Sequence, residues 1–108
     1  MKEKELLKLA AKAINLELFE DDFYDGELCY YDSDTDCNLW WNPIIDDGDA
    51  LRLAVELGLA VSICKDMPDG DFTVILGTEI KEMHNKDKYS ATKLAIVRAA
   101  AEIGKSIK

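Results

Sequence analysis

The sequence predicts an α+β fold: an antiparallel sheet of four to five strands with about three helices packed on it. Two observations predict it. Helical apolar spacing occurs at the start, the centre and the end of the chain. Between those stretches lie short alternating segments, joined by hairpin turns rather than β-α-β crossovers. The predicted order is α-β-β-α-β-β-(β)-α, in one domain spanning residues 1–108.

Each element follows from local chemistry. In Lys2–Ile14, Leu6, Leu7, Ala10, Ala13 and Ile14 recur at helical spacing, opposite Lys4, Glu5, Lys8 and Lys12. Asn15 ends that helix. Leu16–Phe19 alternates and reads as a strand, Glu20–Gly26 as a turn, and Glu27–Tyr31 as the next strand. Asp25-Gly26 is the hairpin signal. Asp32–Pro43 reads as an irregular loop. Asp46 is placed to cap the central helix, and Gly58 to close it in the left-handed conformation. Leu59–Cys64 and Phe72–Leu76 form a hairpin around Lys65–Gly70, and Thr78–Met83 is the optional further strand. His84–Lys88 is a polar loop. Ser90 caps the last helix, Ala91–Ile107, which is apolar on most sides and should be the best-buried element. Its alanines would let it lie close to the sheet.

Length and composition suit a globular core without staples. The chain is 48% hydrophobic and 32% charged. Leu57–Cys64 and Phe72–Thr78 are uncharged apolar runs, far short of the ~20 residues of a membrane helix. The charged amphipathic start MKEKELLK lacks a signal-peptide core, so a cytoplasmic location is expected. Cys29, Cys37 and Cys64 have no zinc-like spacing and read as reduced thiols. No cofactor is expected.

Charge is unevenly spread. Between Lys12 and Arg52 lie twelve acidic residues, no Lys or Arg, and seven of the nine aromatics. The rest of the chain sums to +3, so this window makes the whole net charge of −9. Acidity of this kind excludes direct nucleic-acid binding, which needs cations at phosphates, and disfavours anionic membranes. Repulsion within the window destabilises a compact state unless packing or function offsets it. The candidate partner-binding residues are Asp21, Asp22, Asp25, Tyr30, Tyr31, Asp32, Asp34, Asp36 and Trp40. The plain alternative is a solubilising, solvated face. Residues 13–51 should form one continuous negative patch, unless Lys65, Lys81, Lys86 or Arg98 reach across to neutralise it.

Other constellations carry less. Asp32, Asp34 and Asp36 alternate as in a calcium loop, but Cys37 and Pro43 stand where Gly and Glu are needed. Trp41 should be structural at the turn into the central helix, leaving Trp40 exposed as an anchor. Asn42-Pro43 shapes that turn. Asp21/Asp22 and Asp46/Asp47 are sequence neighbours, and catalysis needs carboxylates converging in unlike environments. His84 reads as a surface histidine, Ser62 as a strand residue, and no phosphate loop or nucleophile elbow occurs.

Two blocks carry a family resemblance: Trp41-Asn42-Pro43-Ile44-Ile45-Asp46-Asp47-Gly48-Asp49-Ala50-Leu51-Arg52-Leu53-Ala54, and Ala91-Thr92-Lys93-Leu94-Ala95-Ile96-Val97-Arg98-Ala99-Ala100-Ala101-Glu102. Their order and distance, across about residues 39–104, resemble the phage ABA-sandwich domain family. The resemblance implies helices flanking a sheet and a bacteriophage or prophage origin. It implies no activity, and it leaves the acidic stretch before Trp40 unassigned.

The functional expectation is a non-enzymatic phage accessory protein in the bacterial host cytoplasm. It would bind a host or phage protein through the acidic, aromatic surface. In its sharper form it mimics nucleic acid and inhibits a host-defence or DNA-binding system. One alternative is a Ca- or Mg-dependent binder or enzyme built on Asp32, Asp34 and Asp36. Another is a module that self-associates into a homo-oligomer.

Overall fold

The computed structural model describes residues 2–85 and 87–107; Lys86, part of the expected polar loop, lies outside the described residues. The class is α+β, with helices α1 (Glu3–Ala13), α2 (Asp47–Leu57) and α3 (Lys88–Ser106). There are two three-stranded antiparallel sheets rather than one sheet of four to five strands. The first has the order β1 (Phe19–Asp21), β2 (Glu27–Asp32), β3 (Cys37–Trp40). The second has the order β4 (Val61–Cys64), β5 (Phe72–Ile75), β6 (Lys81–Met83).

The differences have local causes. β1 starts at Phe19 rather than Leu16, and its pairing runs Phe19 to Cys29 and Asp21 to Glu27. Leu16 and Leu18 instead pack as connecting chain against the core. β3 lies inside the expected Asp32–Pro43 loop: four residues, Cys37–Trp40, are too short a run for alternation to stand out beside the acidic turn residues. It pairs with β2 from Asp32–Cys37 to Cys29–Trp40. Asp36, at φ 53°, takes the left-handed turn that lets the chain return. The third strand of the second sheet does form, but is only Lys81–Met83.

Helix starts follow capping chemistry. The Asp46 carboxylate accepts from Asp49 N at 2.8 Å, and Gly58 closes α2 at φ 64°. In α3 the cap is Asp87, not Ser90. The Asp87 carboxylate accepts from Tyr89 N (2.9 Å), Ser90 N (3.2 Å) and Ser90 Oγ (2.7 Å). An ionised acid at a helix N-terminus satisfies orphan amides and meets the positive end of the dipole.

α3 supplies the largest buried set of any element: Ala91, Ala95, Ile96, Val97, Ala99, Ala100, Ala101 and Gly104. Its tightest neighbour is α1, ahead of α2 and the second sheet. The small residues therefore permit a close helix–helix approach, where closeness to a sheet was expected. At Gly104 a Cβ would collide with the Leu9 carbonyl. Leu7, Ala10, Leu28, Trp41, Leu53, Ile75 and Val97 belong to one core joining both sheets to the helices.

Candidate functional site

The first sheet and its two connections carry all nine candidate residues. The β1–β2 connection is a short 3-10 turn, Asp22–Tyr24, capped by Asp21, whose carboxylate accepts from Phe23 N at 2.9 Å. Asp25, at φ 56°, and Gly26, at φ 78°, turn the chain into β2. The other Asp21 oxygen accepts from Asn38 Nδ2 at 3.1 Å, and Tyr24 Oη donates to the Asn38 carbonyl at 3.2 Å. These contacts fix the turn against β3. Phe23 is 84% exposed and meets Tyr24 edge-on, with ring centroids 5.1 Å apart.

An open groove of about 660 Å³ runs between this turn and α1. Phe23, Tyr24 and Trp40 line it with Asp25, Glu27 and Leu7. Trp40 is half-buried rather than exposed, because its pairing with Cys29 holds it beside the turn. Glu3 and Lys4 stand at the rim. The Lys4 ammonium is already engaged by Glu20 (3.4 Å) and the Gly26 carbonyl (3.2 Å). Trp41 is buried at 5% exposure, and its amide donates to the Leu28 carbonyl, so it is structural as expected.

The second acidic cluster is the β2–β3 turn. Asp32 accepts from Thr35 Oγ1 at 2.7 Å, Asp36 accepts from Tyr31 Oη, and Asp34 is exposed between them. The Asp36 contact raises the Tyr31 phenol above its usual range, with desolvation and Asp32 acting the same way. Asp32, Asp34 and Asp36 do not converge as cation ligands; among the described residues no three acidic, Cys or His groups do. The two acidic turns sit at either end of β2, a six-residue strand spanning about 17 Å.

Tyr30 stands apart. It packs half-buried against the core and lines a cleft with Trp41 and Arg52. Burial, then Asp49 and Asp32, push its phenol up.

Among the described residues, neutralisation of the acidic window is partial and does not come from Lys65, Lys81 or Arg98; Lys86 lies outside them. Among the described residues, Lys4 reaches Glu20, Arg52 reaches Asp49, and Lys93 reaches Asp47. Nine of the twelve acids have no such ion pair there. Arg98 pairs instead with Glu82, and Lys81 stacks over the Phe72 ring at 4.2 Å.

Two polar clusters escaped sequence reasoning. Asp49 is buried at 5% exposure; its Oδ2 accepts from Asn42 N (3.0 Å) and its Oδ1 from Arg52 Nη2 (2.9 Å). Asn42 Oδ1 accepts from Ile44 N at 3.0 Å, which locks the Trp-Asn-Pro turn. The only sequence signal was Asn-Pro before a capped helix. His84 is also a correction: it is buried at 8% exposure, not on the surface. Its Nε2 lies 2.8 Å from Thr73 Oγ1, which lies 2.8 Å from Thr92 Oγ1. Hydrogen bonding to the buried Thr73 makes a buried site acceptable for the ring.

Compared with known proteins, the chain matches no family model, no curated protein and no solved structure.

Proposed function

We propose that this is a non-enzymatic binding protein that holds a basic, Lys/Arg-rich segment of a protein partner in the groove between α1 and the first sheet. One observation carries the reading: three aromatic rings and the carboxylates of Asp25 and Glu27 line the same groove. A cation over an aromatic face gains attraction from the ring quadrupole, and a nearby carboxylate completes the ion pair. The other acids of the window extend the negative field beyond the groove and steer encounter.

Basic segments of this kind belong to nucleic-acid-binding proteins, so inhibition of a DNA-binding or host-defence system is the sharper form of the proposal. A phage origin and action in a bacterial cytoplasm belong to the same proposal. They rest on the Trp41–Ala54 and Ala91–Glu102 blocks.

The test uses an alternating Lys-Arg decapeptide, with an alternating Glu-Ser peptide as control. Binding should weaken steeply with added salt. Trp40→Ala should speed dissociation, by a loss on the order of 2 kcal/mol. Asp32→Asn/Asp34→Asn/Asp36→Asn should slow association and flatten the salt dependence. Unchanged rates in both variants, with normal circular dichroism, would overturn the reading.

A further inference from the structure

A second groove, of about 380 Å³, lies between α2, β4 and the start of α3. Its floor and walls are largely apolar, with Leu51, Ile63 and Ile96 among them. Leu51 and Ile63 are 65% and 47% exposed, an unusual state for aliphatic side chains in a concave site. Lys65, Lys88 and Lys93 also line it, against one acid, Asp47. Asp47 is itself bound to Lys93 at 2.8 Å. Three lysines against one aspartate leave two positive charges around this groove, in a protein whose net charge is −9. The His84 ring reaches the same groove. Its Nε2 is taken by Thr73, and among the described residues its Nδ1 has no hydrogen-bond partner. Ligand sites combine an apolar body with a few placed polar groups, in volumes of about 300–1,000 Å³.

We propose that this groove binds a small amphipathic carboxylate. The apolar chain lies on Leu51, Ile63 and Ile96, and the carboxylate meets Lys88 and Lys65, with the His84 ring edge beside it. Charge complementarity selects the anionic head, and the volume selects a small molecule over a folded partner. The site is separate from the acidic groove, so it stands or falls independently of the peptide-binding proposal.

Decanoate is the probe, with decanol and decylamine sharing its chain but not its charge. Titrations are followed by the methyl signals of Leu51 and Ile63 and the ring signals of His84. Decanoate should bind about tenfold more tightly than decanol, and decylamine more weakly than either. Lys65→Glu/Lys88→Glu should lower decanoate affinity about tenfold or more, and Leu51→Asp should abolish it. These positions are exposed, so the fold should persist, as circular dichroism would show. Equal binding of decanoate and decylamine would overturn the proposal, as would unchanged affinity in both variants. A ligand-free dimer in sedimentation velocity that Leu51→Asp dissolves would overturn it too, since a second copy then covers the face.

Discussion

Single carboxylates in this protein act in opposite ways, depending on what surrounds them. Asp87 is a helix cap, and its hydrogen bonds from Ser90, with one from Tyr89, hold its carboxyl below the usual range. A depressed folded pKa means the stabilisation is present above the unfolded value, about 3.9, and is lost as pH falls through the folded one. Asp87→Ala should therefore lower the melting midpoint at neutral pH. Its deficit against the parent protein should shrink as the pH is taken below the carboxylate range; a constant deficit across that range would refute the linkage. Asp49 is instead buried and joins the Asn42 amide to Arg52. Asp49→Ala strips both partners of a charged acceptor and should cost about 2–4 kcal/mol in urea unfolding. Asp46→Ala removes an ordinary cap and should cost about 1 kcal/mol. Equal losses in these two variants would show that the Asp49 cluster is not a lock.

At the scale of elements, the helices and the second hairpin were legible in the sequence because their signals are local. Asp46, Gly58 and the 3.6-residue apolar spacing each act within a turn or two. The division into two sheets was not legible. Whether Glu27–Asp32 and Val61–Cys64 share a sheet depends on which strand edges meet across the core, and no residue pattern states that. β3 is only four residues long, and its burial increases along the strand instead of alternating, so it carries no period-two signal. His84 looked exposed because its partner Thr73 is eleven residues away, and Thr92, which bonds Thr73 in turn, lies on the next helix. The site was half legible: the charge run located the surface, but only the 3-10 turn shows that Trp40 shares a groove with Asp25. The α1–α3 contact makes a prediction at this scale. Gly104→Val would force a side chain into the Leu9 carbonyl and push the helices apart. It should cost about 3 kcal/mol or more in thermal or urea unfolding. Gly77→Asn is the control: a residue that tolerates left-handed φ, placed in open space at φ 82°, should cost little. Similar losses for both would mean that the helices do not approach as described.

At the scale of the whole molecule, nine acids of the window have no ion pair among the described residues, and their mutual repulsion bears on the stability of the 108-residue fold. Neighbouring carboxylates repel one another, and compactness raises that repulsion relative to the unfolded chain. Added salt shortens the range of the field, so stability should rise with ionic strength rather than fall. The β2–β3 turn allows the cause to be isolated. Asn keeps an acceptor oxygen for Thr35 Oγ1 and Tyr31 Oη, so Asp32→Asn/Asp34→Asn/Asp36→Asn removes charge while keeping the local hydrogen bonds. That variant should melt a few degrees higher at low salt, with a smaller rise when sodium chloride is added. The same variant should associate more slowly with the Lys-Arg peptide. A stability gain joined to a binding loss is the trade expected of a surface kept acidic for recognition. If the acids only keep the protein soluble, melting rises and peptide association is unchanged. If the midpoint falls at low salt instead, the turn is held together by its carboxylates and the repulsion argument is wrong. Scanning calorimetry at two salt concentrations, beside stopped-flow association with the peptide, separates the three outcomes.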